Sequence, residues 1–351
     1  VAIKIPKSKE VGTEEYVKKA KDFYTEAVMG GQFQHDNIVT IYDVGKDNKV
    51  DYLVMEYVDG TSMRQHLKDN GPLDVEYVID AIYHLCIALD YIHFNKIVHR
   101  DIKPDNIMVN VDKGTIKLMD FSCSSRIAEL SRDKSGSAPY MAPEIHDTEQ
   151  VIDLPSDIFS LAAVMYELLS GEMAFPGDEA MACVYKVINE QPEPLNKVRP
   201  EVPKELIGIL DKALEKNPAD RYQSVLEFAD ALNALKQQLA SQNNKKIVVD
   251  KDEQYLMMRK DEWFQNFSPD QINELMDAGE VQLYGDKQVI LDEGVDNNTF
   301  YLVLEGEVSV KKGRHQIRKL GEGECFGEMS YLTKVKTTAS IHAVGDVMVW
   351  E

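Results

Sequence analysis

His99-Arg100-Asp101-Ile102-Lys103-Pro104-Asp105-Asn106 is the stretch that decides the fold of this 351-residue chain. It is followed by Asp120-Phe121-Ser122 and by Ala142-Pro143-Glu144. Each short motif alone is a weak signal, but their order and spacing together are specific. All three lie between residues 95 and 155, where helical periodicity is absent, and loops of that length in a compact domain are usually functional. We therefore expect this stretch to carry the active site.

The sequence on either side predicts a small sheet with one helix, and then a region dominated by helices. The predicted elements are strand-like alternation at the start of the chain, a helix around Glu14–Met29, and short strands over Val39–Val44 and Asp51–Met55. Long helical patterns extend from Ser62 to about Leu239. The longest apolar run, Ile158–Leu169, is interrupted by Glu167 and is too short to span a bilayer, so a buried amphipathic helix is expected there.

Composition restricts the class of protein. With 44% hydrophobic and 28% charged residues the chain can bury ordinary cores, and its length allows two domains. The formal net charge of −21 argues against binding to nucleic acid or an anionic membrane, because either requires a basic surface. The four cysteines form no C-x-x-C pair, so neither a disulfide framework nor a zinc site is indicated. We expect a cytoplasmic protein with no nucleic-acid partner and no membrane span in this chain.

A second domain is predicted after a polar segment. The chain turns polar after Lys236, which indicates a helix that ends in a linker. Ser268-Pro269-Asp270-Gln271 predicts a new helix, with Ser268 as its N-cap and Gln271 closing a capping box. Beyond Glu280, short alternating runs separated by glycines predict a small β-barrel or sandwich. The predicted organisation is a domain over residues 1–240, a linker over 241–254 and a domain over 255–351.

From residue 1 to about residue 240, the three motifs and Val1-Ala2-Ile3-Lys4 together resemble the eukaryotic-type serine/threonine protein kinase family. The resemblance implies an α+β, bilobal protein kinase fold with a small β-rich lobe and a large helical lobe. It implies ATP and Mg²⁺ as cofactors and a protein substrate with a serine or threonine. In this family a basic residue at the position of Lys103 marks serine/threonine rather than tyrosine kinases.

The same resemblance assigns chemical roles to individual residues. Asp101 would orient the substrate hydroxyl and accept its proton, while Asn106 and Asp120 would hold Mg²⁺ between the phosphates. Lys4 matches the lysine that reaches the α- and β-phosphates, and Glu26 matches the glutamate that pairs with it. The residues expected around the adenine are Ala2, Met55, Glu56, Val58 and Met108. Those expected to have scaffold roles are Asp157 and the buried ion pair of Glu144 with Arg221.

Regulation by phosphorylation is also implied by the resemblance. Arg100 looks like the arginine that pairs with a phosphorylated activation loop. The candidate phosphosites are Ser124, Ser125, Ser131 and Ser135. Ser137 is expected to contact Asp101 and is therefore the least favoured phosphosite.

Two departures from the family pattern affect the expected activity. Ser122 stands where the family has glycine, and its side chain restricts the backbone freedom with which this motif switches. The glycine-rich loop over the phosphates is expected before Val1, so we expect this chain to be a fragment that is weakly active or inactive on its own. The leading hypothesis is a kinase regulated by its second domain. The alternative is a catalytically impaired kinase-like scaffold or ligand-binding protein.

The second domain resembles cyclic-nucleotide-binding domains over about residues 255–351. The segments that carry the resemblance are Trp263–Ser268, Val289–Gly294, Phe300–Val308 and Cys325–Ser330. A small antiparallel β-barrel or jelly roll with flanking helices is implied. Gly327 and Glu328 fall where the family starts a short helix that cradles the cyclic phosphate, with the glutamate on the ribose hydroxyl.

One key position of this second resemblance differs. Thr337 replaces the phosphate-binding arginine, and its neighbour Lys336 offers only a point charge. Thr338 matches a hydroxyl that cyclic GMP-selective members use. The expected pocket consists of Gly327, Glu328, Met329, Lys336, Thr337 and Thr338. A cyclic nucleotide, a nucleoside, another small ligand and a purely structural barrel all stay open, and the helices that cap the pocket are expected after Glu351.

Overall fold

The computed structural model describes residues 1–6, 23–47, 50–126, 136–146, 153–242 and 249–351. The chain divides into two units, Val1–Lys245 and Lys246–Glu351. The helix Lys251–Lys260 belongs to the second unit and begins within the segment predicted as a linker. Within the described ranges, every helix is either too short or too polar to cross a membrane.

A three-stranded antiparallel sheet begins the first unit. Its strands, in spatial order, are β1 (Ala2–Lys4), β3 (Val50–Met55) and β2 (Ile41–Asp47). A helix over 23–30, α1, packs against this sheet, and Phe23, Val39 and Leu53 are buried between them. The predicted strands are confirmed with small shifts of their ends. The predicted helix is confirmed from residue 23, and its earlier part lies outside the described residues.

Helices form most of the rest of the first unit. In chain order they are α2 (Met63–Asn70), α3 (Val75–Phe94), α4 (Pro143–His146), α5 (Pro155–Ser170), α6 (Ala180–Asn189), α7 (Leu195–Val198), α8 (Lys204–Ala213) and α9 (Val225–Gln242). Every residue of α5 is buried, and α3, α7, α8 and α9 pack around it. The predicted helix and its burial are confirmed, but its expected amphipathic character was wrong, because α5 is surrounded by protein and has no solvent-facing side.

Short strands frame the loop that carries Asp101, residues 99–106, which is called the Asp101 loop below. The strands are β4 (Thr61–Ser62), β5 (Ile97–Val98), β6 (Ile107–Asn110), β7 (Thr115–Leu118) and β8 (Ser125–Arg126). β5 pairs with β8 before the loop, and β6 pairs with β4 and β7 after it. The Met119 N–H then donates to the main-chain oxygen of Asn106 at 2.9 Å. The chain after β7 therefore returns to the Asp101 loop and brings Asp120 beside it.

The second unit consists of helices and an antiparallel sheet. The helices are α10 (Lys251–Lys260), α11 (Pro269–Ala278) and α12 (Glu328–Thr333). The strands are β9 (Val281–Tyr284), β10 (Val289–Leu291), β11 (Tyr301–Lys312), β12 (His315–Leu320), β13 (Cys325–Phe326) and β14 (Ser340–Trp350). Their order is β10-β14-β11-β12, with β9 on β14 and β13 on β11. The predicted antiparallel domain with flanking helices is confirmed.

The start of α11 has the predicted capping box. Ser268 Oγ accepts the Gln271 N–H at 3.2 Å, and Gln271 Oε1 accepts the Ser268 N–H at 2.8 Å. Just before this helix, the ring of Trp263 lies 4.8 Å from that of Phe300, which in turn lies 5.3 Å from Trp350 at the end of β14. These aromatic contacts attach the helical segment to the sheet.

Candidate active site

The Asp101 loop is held in place by the buried carboxylate of Asp157, in the first turn of α5. Its two oxygens accept the main-chain N–H groups of His99 at 2.8 Å and of Arg100 at 2.9 Å, and His93 Nε2 lies 2.8 Å away. Burial acts to raise the pKa of Asp157, but the hydrogen bonds from His93 and Arg100 hold it below its usual value. Arg100 is thereby fixed at a φ of 68°, in the left-handed region that non-glycine residues rarely adopt.

Asp101 is hydrogen-bonded through both carboxylate oxygens. Lys103 Nζ lies 2.6 Å from Asp101 Oδ2 and 2.9 Å from Ser137 Oγ. Ser137 Oγ donates to Asp101 Oδ1 at 2.9 Å, which confirms the predicted contact. The Asn106 side-chain amide donates to Asp101 Oδ2 at 3.0 Å and to its main-chain oxygen at 2.8 Å. The orientation of the carboxylate is therefore determined by three neighbouring side chains.

Lys4, Glu26 and Asp120 come from three separate elements and form one charge cluster. Lys4 Nζ donates to the two oxygens of Glu26 at 2.8 and 2.7 Å and lies 3.2 Å from Asp120 Oδ2. The predicted pairing of Lys4 with Glu26 is confirmed. Phe121, next to Asp120, is buried with its ring 5.1 Å from that of Phe33. The cluster joins β1, α1 and the segment after β7.

Two carboxylates share one lysine in this cluster, so their protonation is coupled. Burial and the nearby charge of Asp120 raise the pKa of Glu26 to about 7, because the opposing effect of Lys4 is smaller. Burial opposes the charged form of Lys4, but the charges of Asp120 and Glu26 raise its pKa above the ordinary value. Burial also acts against the charged form of Asp120, yet Lys4 and hydrogen bonds from Ser122 keep the pKa of Asp120 low. Asp120 stays ionised, whereas Glu26 titrates near neutral pH.

The side chains of Asn106 and Asp120 fit the predicted role of magnesium ligands. Asn106 uses its amide N–H group toward Asp101, which leaves its side-chain carbonyl oxygen as a donor to a cation. Asp120 contributes an ionised carboxylate, held at a φ of 71° beside the Asp101 loop. Carboxylate and amide oxygens are hard ligands of the kind that Mg²⁺ takes, usually with phosphate oxygens and water as the other ligands.

Ser122, which stands where the family has glycine, fits this arrangement of Asp120. Its own φ is not positive, so a side chain is tolerated at this position without backbone strain. The Ser122 N–H donates to Asp120 Oδ1 at 3.3 Å, and the Ser122 hydroxyl also contributes a hydrogen bond to Asp120. The replacement therefore supports the Asp120 carboxylate in this conformation.

The predicted adenine-contacting residues are partly brought together. Those that share an apolar cluster with the core of the small sheet are Ala2, Met55 and Val58. Met108 lies on β6, in a different sheet. The Glu56 N–H already donates to Thr40 O at 2.8 Å, so that only its carbonyl could bond a base. Of the predicted hydrogen bonds between the Glu56 backbone and the adenine, only one in which the Glu56 carbonyl accepts is thus compatible with the structure.

Two of the four predicted phosphosites lie within the described residues. Ser125 Oγ is 3.4 Å from Arg100 Nη1, so this serine is next to the predicted phosphate-binding arginine. Ser124 is only 4% exposed, and its Oγ donates to His99 O at 3.2 Å. Because a kinase active site could not reach a buried hydroxyl, this arrangement argues against Ser124 as a phosphosite. Ser131 and Ser135 lie outside the described residues.

An ionic network around the buried Glu167, beside the active site, was not predicted from the sequence motifs. The carboxylate of Glu167 accepts the Tyr140 hydroxyl at 2.6 Å and pairs with Arg64 of α2. Arg64 also contacts the Tyr140 hydroxyl and lies 3.2 Å from Asp105 of the Asp101 loop. The available signal was the charged Glu167 inside an apolar run, because a buried carboxylate requires a partner. Nothing in the local sequence identified Arg64 as that partner.

A cavity of about 390 Å³ in the second unit contains all six residues of the predicted ligand pocket in its lining. They are Gly327, Glu328, Met329, Lys336, Thr337 and Thr338. Gly327 has a φ of 85°, and a Cβ there would lie 2.9 Å from Thr299 O, so glycine is required at this position. Thr337 Oγ1 donates to Asp292 O at 2.6 Å and accepts the Val295 N–H at 3.0 Å. This hydroxyl is thus engaged with the protein backbone.

Each of the two units of the chain contains a match to a known family model. Residues 1–238 match the family model described as protein kinase domain, and residues 281–351 match that of the cyclic nucleotide-binding domain. A probable serine/threonine-protein kinase of Clostridium acetobutylicum is 36% identical over 244 residues, which cover 67% of this chain and 36% of that protein. Serine/threonine-protein kinase PknB of Mycolicibacterium smegmatis is 36% identical over 216 residues, which cover 59% of this chain and 34% of that protein. The chain spans about a third of the length of these curated relatives.

We predict that Glu26 makes stability depend on pH when nucleotide and magnesium are left out. The pKa of Glu26 rises on folding from 4.5 to about 7, so between these values the folded state binds more protons and stability falls as the pH increases. Replacing Glu26 by glutamine (Glu26→Gln) removes this loss. The unfolding free energy of the variant relative to the parent should therefore increase between pH 5 and pH 8, by at most about 3 kcal/mol.

Urea unfolding at the two pH values measures this difference. Glu205→Gln, at an exposed position of α8, controls for the exchange of a carboxylate for an amide. A relative stability of Glu26→Gln that is the same at both pH values would show that Glu26 does not titrate as described.

Proposed function

Because residues 1–238 match the protein kinase domain model, this chain belongs to that family, and we propose that it transfers the γ-phosphate of ATP to serine or threonine hydroxyls of protein substrates. A protein kinase domain implies ATP and Mg²⁺ as cofactors and proteins as substrates. The relatives are named serine/threonine-protein kinases, and Lys103 beside Asp101 supports the same specificity here.

The observation that carries the proposal is that the charged groups of the site are already assembled. Lys4 is paired with Glu26 and lies 3.2 Å from Asp120, while Asp101 is oriented by Lys103 and its other neighbours. Phosphoryl transfer requires little covalent chemistry from the protein, and catalysis consists mainly of positioning and charge stabilisation. An arrangement of this kind supplies both.

In the proposed reaction, Asp101 accepts the proton of the substrate hydroxyl as the new O–P bond forms and the bond between the γ-phosphorus and ADP breaks. Asn106 keeps the Asp101 carboxylate oriented toward the hydroxyl. Lys103, 2.6 Å from that carboxylate, supplies positive charge beside the transferred group. Lys4, held by Glu26, binds the α- and β-phosphates. Asn106 and Asp120 would hold Mg²⁺, and the bound ion would supply positive charge that neutralises the phosphates.

We predict that Asp101→Asn in the full-length protein reduces phosphate transfer by about 10² to 10⁴-fold, because an amide cannot accept the proton. Transfer from labelled ATP to serine and threonine peptides in the presence of magnesium measures this. Asp105→Asn is the matched control, since it makes the same change on the same loop, where its carboxylate is 52% exposed and paired with Arg64.

The control variant should keep most of the activity. Equal activity of Asp101→Asn and the parent would exclude the assigned role of Asp101. If the parent itself transferred no phosphate, the alternative of a catalytically impaired scaffold would replace the kinase proposal.

We further propose that the second unit is a sensor for a small ligand, with a cyclic nucleotide as the first candidate. The match of residues 281–351 to the cyclic nucleotide-binding domain and the cavity beside Gly327 support this proposal. Phosphorylation at Ser125, Ser131 or Ser135 is a second proposed input, since Arg100 is close to Ser125. We also propose a cytoplasmic location, because the four cysteines are free thiols in the structure and thiols stay reduced in that compartment.

Sensor coupling predicts that ligand binding changes the kinase activity. A ligand can shift an equilibrium only if it binds one arrangement of the protein more tightly than another. We therefore expect saturating cyclic AMP or cyclic GMP to change both the rate of phosphate transfer and the hydrogen exchange of α10, Lys251–Lys260, which precedes the ligand-binding fold. Bound ligand that left both quantities unchanged would contradict the coupling.

A further inference from the structure

The cavity of the second unit has few hydrogen-bond donors left for a ligand. Four hydroxyl side chains line it, and three already donate to main-chain oxygens. The hydroxyl of Ser330 donates to Val335 O at 2.9 Å, that of Thr333 to Met329 O at 2.6 Å, and that of Thr337 to Asp292 O at 2.6 Å. Since a hydroxyl has only one proton, these three can accept a hydrogen bond from a ligand but cannot donate one while the bonds persist.

Thr337 in particular serves as a link to the segment after β10. Besides its hydroxyl bonds to Asp292 and Val295, its N–H donates to Val295 O at 2.9 Å, and its carbonyl accepts the Gly294 N–H at 2.8 Å. Thr337 is 7% exposed. The position at which cyclic-nucleotide-binding domains are expected to have a phosphate-binding arginine is therefore occupied by a side chain that stabilises the protein itself.

Two cations remain on the lining of the cavity, Arg318 and Lys336. Arg318 is on β12 two residues before the buried Leu320, and alternate residues of a strand point to the same face of a sheet. In register, Arg318 lies opposite Val310 and Leu320 lies opposite Val308, so Arg318 is on the core-facing side. Within the described part of the chain, neither cation has a hydrogen-bond or ion-pair partner. Both are available to a ligand.

The charge and chemistry of the lining define the class of ligand. Glu328 is the one carboxylate among the lining residues, so the two cations leave an excess of positive charge. Apolar side chains of the sheet core, including Leu291, Phe326 and Ile341, form the rest of the wall. Such a cavity suits an organic anion with an apolar or aromatic body. A guanidinium can bind a phosphate with two parallel hydrogen bonds, which an ammonium cannot do.

We infer that Arg318 of β12, with Lys336 as a second charge, is the anion-binding group of this cavity, and that its ligand is a small organic phosphate. The main anion-binding group is thereby Arg318 of β12 and not residue 337. This inference rests on the proposed sensor function of the second unit and is independent of the chemistry at Asp101.

The test compares the binding of cyclic AMP, cyclic GMP and adenosine to the full-length protein, measured by calorimetry. We expect Arg318→Ala to weaken the binding of the tighter cyclic nucleotide by about 10- to 100-fold, because a charged hydrogen-bonding group is lost. Arg318→Lys should restore part of the affinity, and Lys336→Ala should have a smaller effect. Adenosine, which lacks the phosphate, should bind the parent and Arg318→Ala equally weakly.

Lys319→Ala is the matched control, since Lys319 is adjacent on β12 and paired with Glu307 outside the lining of the cavity. It should bind like the parent, and the fluorescence of Trp263 and Trp350 would verify that each variant is folded. Unchanged cyclic-nucleotide affinity in Arg318→Ala overturns the inference, as does the absence of cyclic-nucleotide binding to the parent at millimolar concentration. If either result occurred while phosphate transfer was intact, the inference about Arg318 would fail and the proposed kinase function would stand. If phosphate transfer were lost but cyclic-nucleotide binding behaved as expected, the inference about Arg318 would stand.

Discussion

The active site depends on two buried hydrogen bonds, from the main-chain N–H groups of His99 and Arg100 to the carboxylate of Asp157. A carboxylate buried at the start of α5 is costly unless its oxygens are satisfied, and the Asp101 loop satisfies them. In return the loop backbone is fixed, including a left-handed residue that would be unfavourable without such support. The direction in which the next residue, Asp101, projects follows from this constraint.

A second constraint is electrostatic and connects distant parts of the first unit. The ammonium group of Lys4 on β1 forms ion pairs with Glu26 of α1 and with Asp120 after β7. The cluster has two carboxylates and one lysine, and burial together with the charge of Asp120 raises the pKa of Glu26 to about 7. A bound divalent cation at Asp120 would offset the excess of negative charge. The same arrangement that is costly without the cofactor is thus suited to binding it.

Much of the site could be predicted because its residues lie in short motifs with fixed spacing. The Lys4–Glu26 pair, the contact between Ser137 and Asp101, and the capping box at Ser268 depend on local geometry or on a family pattern, and all are present. Long-range partners could not be predicted in this way. Arg64 reaches Glu167 across more than 100 positions of sequence, and the covering of α5 on all sides depends on four other helices. The same holds for the Thr337 hydroxyl, whose acceptor lies in a separate segment.

The most direct test of this account is phosphate transfer by Asp157→Asn, compared with the parent under identical magnesium and ATP concentrations. The two N–H groups bond to different oxygens of Asp157, and asparagine replaces one of these oxygens with an NH₂ donor, so the Asp101 loop should lose its fixed position. The transfer rate should then fall by about 10²-fold, while the binding of a fluorescent ATP analogue stays close to that of the parent and thermal unfolding shows a folded first unit. A folded variant that retained the full transfer rate would contradict the central role given to Asp157.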